Sequence, residues 1–79
     1  MKTTKYFDFR RKQPDRKDII DEWIRRVINA PLRREIQSDG RIKVWGRIEE
    51  VDKFLRVILL ADGSTVHNAF FDRGFKGDN

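Results

Sequence analysis

Two short turn signals, Ser38-Asp39-Gly40 and Asp62-Gly63, constrain this chain more than any other feature. Each lies between runs of strand-like residues, and turn residues in that setting mark β-hairpins. For the first, a three-residue loop with Gly40 in the left-handed region pairs Gln37 with Arg41, Ile36 with Ile42 and Glu35 with Lys43. A two-residue loop would set Ile36 against Lys43 and mix the two faces. For the second, a two-residue loop pairs Ala61 with Ser64, and therefore Ile58 with His67, Arg56 with Ala69 and Phe54 with Phe71.

Alternation then sorts the side chains. In the strand Ile42 to Glu49, Ile42, Val44 and Ile48 share one side, with Lys43, Trp45, Arg47 and Glu49 on the other. Gly46 reads as a bulge. The run Phe54 to Ala61 is apolar on both sides apart from Arg56, as in a central strand. Leu55, Val57, Leu59, Val66, Asn68 and Phe70 form the face expected to pack on a helix. Phe54, Arg56, Ile58, His67, Ala69 and Phe71 fall on the opposite, open face.

The helix is expected over Asp15 to Asn29. Asp15 serves as N-cap, and Ile19, Ile20, Trp23, Ile24, Val27 and Ile28 form a stripe at helical spacing. Asp21 and Arg25, and Glu22 and Arg26, stand four apart in the favourable order. Pro31 ends the helix, because the residue before proline avoids the helical region. Lys5 to Phe9 reads as one more strand, with Phe7 and Phe9 inward. The expected fold class is α+β: an N-terminal strand and one amphipathic helix packed on a four- to five-stranded, mainly antiparallel sheet. Residues 1–79 form a single domain, with 73–79 as a frayed tail. An exposed edge strand invites pairing with a second copy.

Composition narrows the functions open to such a fold. The chain has 79 residues, a net charge of +5 and no cysteine. Disulfides, thiolate catalysis and thiolate metal sites are excluded, and one histidine argues against structural zinc. No metal or other cofactor is expected. No apolar run is long enough to cross a bilayer and no signal-peptide pattern is present, so a cytoplasmic protein without membrane contact is expected. Positive charge gathers in residues 1–34, which hold 11 basic and 5 acidic side chains. The doublets Arg10-Arg11, Arg25-Arg26 and Arg33-Arg34 suit phosphate or an acidic partner, and equally the solvated face of a helix.

The open face is expected to carry Lys43, Trp45, Arg47, Arg56, His67 and Phe71. Cations interleaved with aromatic rings suit single-stranded nucleic acid, which binds through phosphate and base stacking. Lys43, Trp45, Phe71, Arg10 and Arg11 are the candidate RNA contacts. If the face is catalytic, its chemistry is attack of a 2′-hydroxyl on the adjoining phosphate, which requires a base, an acid and cations at phosphorus. His67, the one side chain titrating near neutrality, is a candidate acid or base. Glu49 or Glu35 is a candidate base, and Arg47 and Arg56 are candidate phosphate clamps. Arg56, set among apolar neighbours, needs either a partner or an open face.

A helix ending Ile28-Asn29-Ala30-Pro31, then Ser38-Asp39-Gly40-Arg41, Trp45-Gly46-Arg47-Ile48, Leu55-Arg56-Val57-Ile58 and Thr65-Val66-His67-Asn68, resembles the small RelE-like proteins of bacteria, especially the BrnT-like toxins. The resemblance spans about Asp15 to Arg73. It implies a RelE-like fold and a messenger-RNA endoribonuclease, ribosome-dependent or free, of a toxin–antitoxin pair, neutralised by an acidic antitoxin. By position it implies Arg47 and Arg56 as sheet cations and His67 as acid or base. The alternative is a non-catalytic module of the same shape that binds RNA or an acidic protein.

Overall fold

A computed structural model describes residues 1–77. The class is α+β: two helices and four antiparallel strands in one open sheet. Helix α1 spans Lys5–Arg10 and α2 spans Asp21–Asn29. Strands β1 (Arg33–Ile36), β2 (Ile42–Ile48), β3 (Lys53–Leu59) and β4 (Val66–Phe71) lie side by side in chain order. A 3-10 turn at Glu49–Val51 joins β2 to β3, closed by Asp52 in the left-handed region.

The first hairpin forms in the expected register. Glu35 pairs with Lys43 and Ile36 with Ile42, and the Gln37 N–H donates to the Arg41 carbonyl at 2.7 Å. Gly40 holds φ +89°. The second hairpin starts in the expected register and then leaves it. Its loop closes at Leu60 and Thr65, and Leu59 opposes Val66. Ile58, however, opposes Asn68 and not His67, so His67 is an extra residue in β4. Such a bulge passes every later side chain to the other face. Arg56 therefore opposes Phe70, Ala69 is fully buried, and Phe71 packs against the core beside Trp23. The physical gain is plain. The expected register would have buried the Asn68 amide, whereas the bulge puts Ala69 there.

The N-terminal segment is helical, not the expected strand. Thr4 caps α1 by accepting a hydrogen bond from the Phe7 N–H at 3.1 Å. Helical geometry turns only one phenylalanine inward: Phe7 is 1% exposed and Phe9 63%. A single parallel bridge, Thr3 to Val66, is all that remains of strand pairing there. Helix α2 is also shorter than the expected Asp15–Asn29. Residues 11–18 form turns, and Ile20 stands at the N-cap position in extended geometry. The Arg11–Asp21 ion pair ties the two ends of this loop together. The irregular path brings Arg16 to Asn68, 2.8 Å away, and over the ring of Phe70. The C-terminal end falls as expected, at Asn29 before Ala30 and Pro31, and the Glu22–Arg26 pair forms.

Ile24 and Val27 of α2 press on Val44, Ile48, Leu55 and Val57, with Phe7, Ile19, Ile42, Leu59, Val66 and Ala69 completing the core. Full burial of such side chains is worth roughly 1.5–3 kcal/mol each. Gly46 sits in a regular ladder with no bulge, opposite Leu55. It is a point of close helix approach, since a β-carbon there would meet Val27 Cγ2 at 2.9 Å. The helices cover β2, β3 and β4, which leaves β1 at an edge with Ile36 exposed.

Candidate nucleic-acid interface

The sheet face away from α2 carries Lys43, Trp45 and Arg47 from β2, Phe54, Arg56 and Ile58 from β3, and His67, Asn68 and Phe70 from β4, but Trp45, expected to be open, is buried, as is Ile58. Residues 73–77, expected to begin a frayed tail, turn back over this face. The Phe75 ring stacks on Trp45 with centroids 5.1 Å apart and planes at 11°, and meets Phe54 edge-on. Asn79 and Asp78, also assigned to the tail, lie outside the described residues.

Arg56 has the partner that its apolar neighbourhood demands. Asp72 Oδ2 accepts from Arg56 Nε at 3.0 Å and from Trp45 Nε1 at 2.9 Å. The guanidinium also lies over the rings of Trp45 and Phe70, with centroids at 5.2 and 5.1 Å. Burial raises the Asp72 pKa, but the hydrogen bonds from Trp45 and Arg56 and the Arg56 charge outweigh it, holding the carboxyl below its usual range. Asp72 carries no signal in the sequence beyond the need of Arg56 for a counter-charge.

His67 lies in a separate cleft of about 320 Å³, lined by Tyr6, Gln37, Arg41, Ile58 and Asn68. The bulge sends it to the open face, as expected, although by a different register. Its Nδ1 is 3.1 Å from Thr4 Oγ1, which leaves Nε2 as the nitrogen available to a ligand. The Tyr6 ring stacks on the imidazole at 5.0 Å. Burial lowers the histidine pKa below its ordinary value, the Arg41 charge lowers it further, and Asp39 pulls it back in part. Thr4, Tyr6, Gln37, Arg41 and Asn68 were not singled out by sequence reasoning. Gln37 and Arg41 were legible as a pair flanking the first loop, whereas Tyr6 and Thr4 depend on α1 being a helix.

The remaining sequence candidates are dispersed. Arg47 pairs with Asp52 and, at 3.6 Å, with Glu49, which is exposed on the 3-10 turn; both line a cleft against Arg26 and Leu32. Neither lines the His67 cleft. Glu35 bridges Arg33 and Lys43 across the open edge of the sheet. Lys43 also lies 5.6 Å from the Trp45 ring centroid. Arg10 pairs with Asp15 at 3.8 Å, and Arg11, paired with Asp21, lies over Phe7. Phe71 faces α2 and not the open side, so it offers no stacking surface there.

Comparison with protein-family models, with curated proteins and with solved structures finds no match to this chain. Among the described residues no cluster of three or more His, Asp or Glu side chains is placed to hold a metal, and no helix is long and apolar enough to cross a membrane.

Proposed function

We propose that this chain binds single-stranded RNA on the open sheet face and cleaves it at the His67 cleft without a metal, as an endoribonuclease of the RelE-like, toxin-related kind. The observation that carries this reading is an imidazole held through Nδ1 by Thr4, lining one cleft with a tyrosine and an arginine, in surroundings that favour its uncharged form. A general base must be unprotonated at working pH and held in place by its other nitrogen. Here His67 takes the proton of the 2′-hydroxyl, and that oxygen bonds to the adjoining phosphorus. The bond to the 5′-oxygen breaks, and this oxygen takes a proton from the Tyr6 phenol, which the imidazolium then restores. Arg41 neutralises charge at the phosphate. The products are a 2′,3′-cyclic phosphate and a 5′-hydroxyl. Arg56 and Lys43 serve as binding cations beside Trp45, in place of the catalytic role expected for Arg56.

The test is incubation of the purified chain with a labelled single-stranded RNA and with DNA of the same sequence. Cleavage of RNA alone, lost in His67→Gln and retained in Arg47→Ala and Glu49→Gln, supports the reading. Cleavage of DNA, or activity that survives His67→Gln, overturns it.

One observation favours a second reading, that of a binding module without catalysis. Arg47 and Arg56, expected as catalytic cations, are already engaged by Asp52 and Asp72. The uncovered edge β1, with Arg33 and Arg34 beside exposed Leu32 and Ile36, also suits an acidic protein partner such as an antitoxin adding a strand. RNA binding without product, or binding of such a partner alone, would select this reading.

A further inference from the structure

Phe75 and Asp72 make, on Trp45 and Arg56, the two kinds of contact that one nucleotide makes. The Phe75 ring lies flat on Trp45, as a base would, and the Asp72 carboxylate sits on Arg56, as a phosphate would. Arg33 adds a cation 5.9 Å from the centroid of the same ring. The stacked rings border a cleft of about 420 Å³ whose other lining includes Arg33, Arg56 and Lys76 together with the Asp72 carboxylate, three cations to one acid. We infer that Trp45 and Arg56 form a seat for one stacked nucleotide of an RNA strand, and that the C-terminal segment holds this seat closed until RNA displaces Phe75. This inference rests on the RNA-binding reading and adds a specific subsite and a gate to it.

Three features support exchange over a permanent cover. The strand it lies on takes its backbone bonds from the sheet and not from the segment, since Trp45 is held in the β2–β3 ladder opposite Arg56. The segment itself has no place in the sheet: past the Asp72 N–H, which donates to Phe54 O, its backbone bonds are local to the turn. And stacking on an indole does not discriminate between a phenyl ring and a base, so a base competes with Phe75 for the Trp45 half of the seat. A ligand that must first displace an internal occupant binds more weakly by the fraction of molecules that are open, and removing the occupant restores that affinity.

The experiment uses the Trp23→Phe variant, in which Trp45 is the sole indole, titrated with a short oligoadenylate RNA. Binding is followed in parallel by anisotropy of a label on the RNA. Trp45 emission is expected to change on binding, and Phe75→Ala is expected to tighten binding at least about threefold, with Trp45→Ala in the same background reversing the gain. Phe75→Leu, which keeps apolar cover but removes the flat ring, guards against a folding defect in Phe75→Ala and should show the same direction. RNA that binds with unchanged Trp45 emission and equal affinity for the Phe75 variants overturns the nucleotide seat and leaves the RNA reading standing. No binding of RNA to any of these proteins overturns both.

Discussion

Gly46 and Val27 meet with no room for another carbon between them: a β-carbon on Gly46 would fall 2.9 Å from Val27 Cγ2 and 3.5 Å from Val27 Cα. The contact fixes how closely α2 lies on β2, and that closeness buries Ile24 and Val27. Gly46→Ala is expected to lower stability by about 1–3 kcal/mol, the usual cost of overpacking. The double variant Gly46→Ala, Val27→Ala should lose less than the sum of the two single losses, because the second change makes room for the first. Urea denaturation of the four proteins measures this, and strict additivity would refute the contact.

Asp72 serves two donors at once, Trp45 Nε1 and the Arg56 guanidinium. Asp72→Asn keeps the shape and removes the charge, leaving Arg56 half-buried without a counter-ion. The expected loss is about 1–3 kcal/mol. Arg56→Gln in the same chain should recover part of it, since no unpaired charge is then left. A double variant less stable than Asp72→Asn would contradict the pairing.

Acid should weaken the second hairpin through Asp62. Its carboxylate accepts from the N–H groups of Ser64 and Thr65 and from the Thr65 hydroxyl, the last being the largest cause of a pKa lowered to about 2. In this window the unfolded chain binds the proton first, so the stabilisation is complete above the ordinary value of 3.8 and is lost as pH falls toward 2. Thermal unfolding from neutral pH to pH 2 should show Asp62→Asn with a shallower decline than the parent. Parallel curves would refute the assignment.

His67 is the only histidine, so one imidazole resonance reports the cleft. Its midpoint should lie below 6.5. Burial is the main cause and persists in every surface variant, while Arg41→Ala should raise the midpoint and Asp39→Asn lower it. The cleavage rate should follow the same titration, rising as the ring loses its proton. An unchanged midpoint in Arg41→Ala would place the guanidinium away from the imidazole.

The first hairpin was legible because its cause is local: Gly40 supplies the left-handed residue, and only one register keeps Glu35 across from Lys43. The bulge was not, because alternation carries no mark where one residue is inserted. The sole hint was that strict alternation buried Asn68, a polar side chain, and exposed Ala69. Alternation also misread residues 5–9, where Phe7 and Phe9 look like strand positions, yet Thr4 has the hydroxyl that starts a helix. The candidate site suffered accordingly. His67 is legible as a candidate from its chemistry, but its neighbours Thr4 and Tyr6 come from the segment that the sequence reads as a strand. Arg56 was known to need a partner, and nothing near it in the chain identified Asp72.

The Thr4–His67 hydrogen bond joins residues 63 apart, whereas the hairpins close over a few residues each. Local pairings form quickly and distant ones wait for them. The cleft is therefore complete only once the two ends of the chain have met. While the chain is being synthesised, α1 is made long before β4, the strand it packs on. Any chemistry at Nε2 is withheld until β4 has been added and has drawn the N-terminal segment onto it.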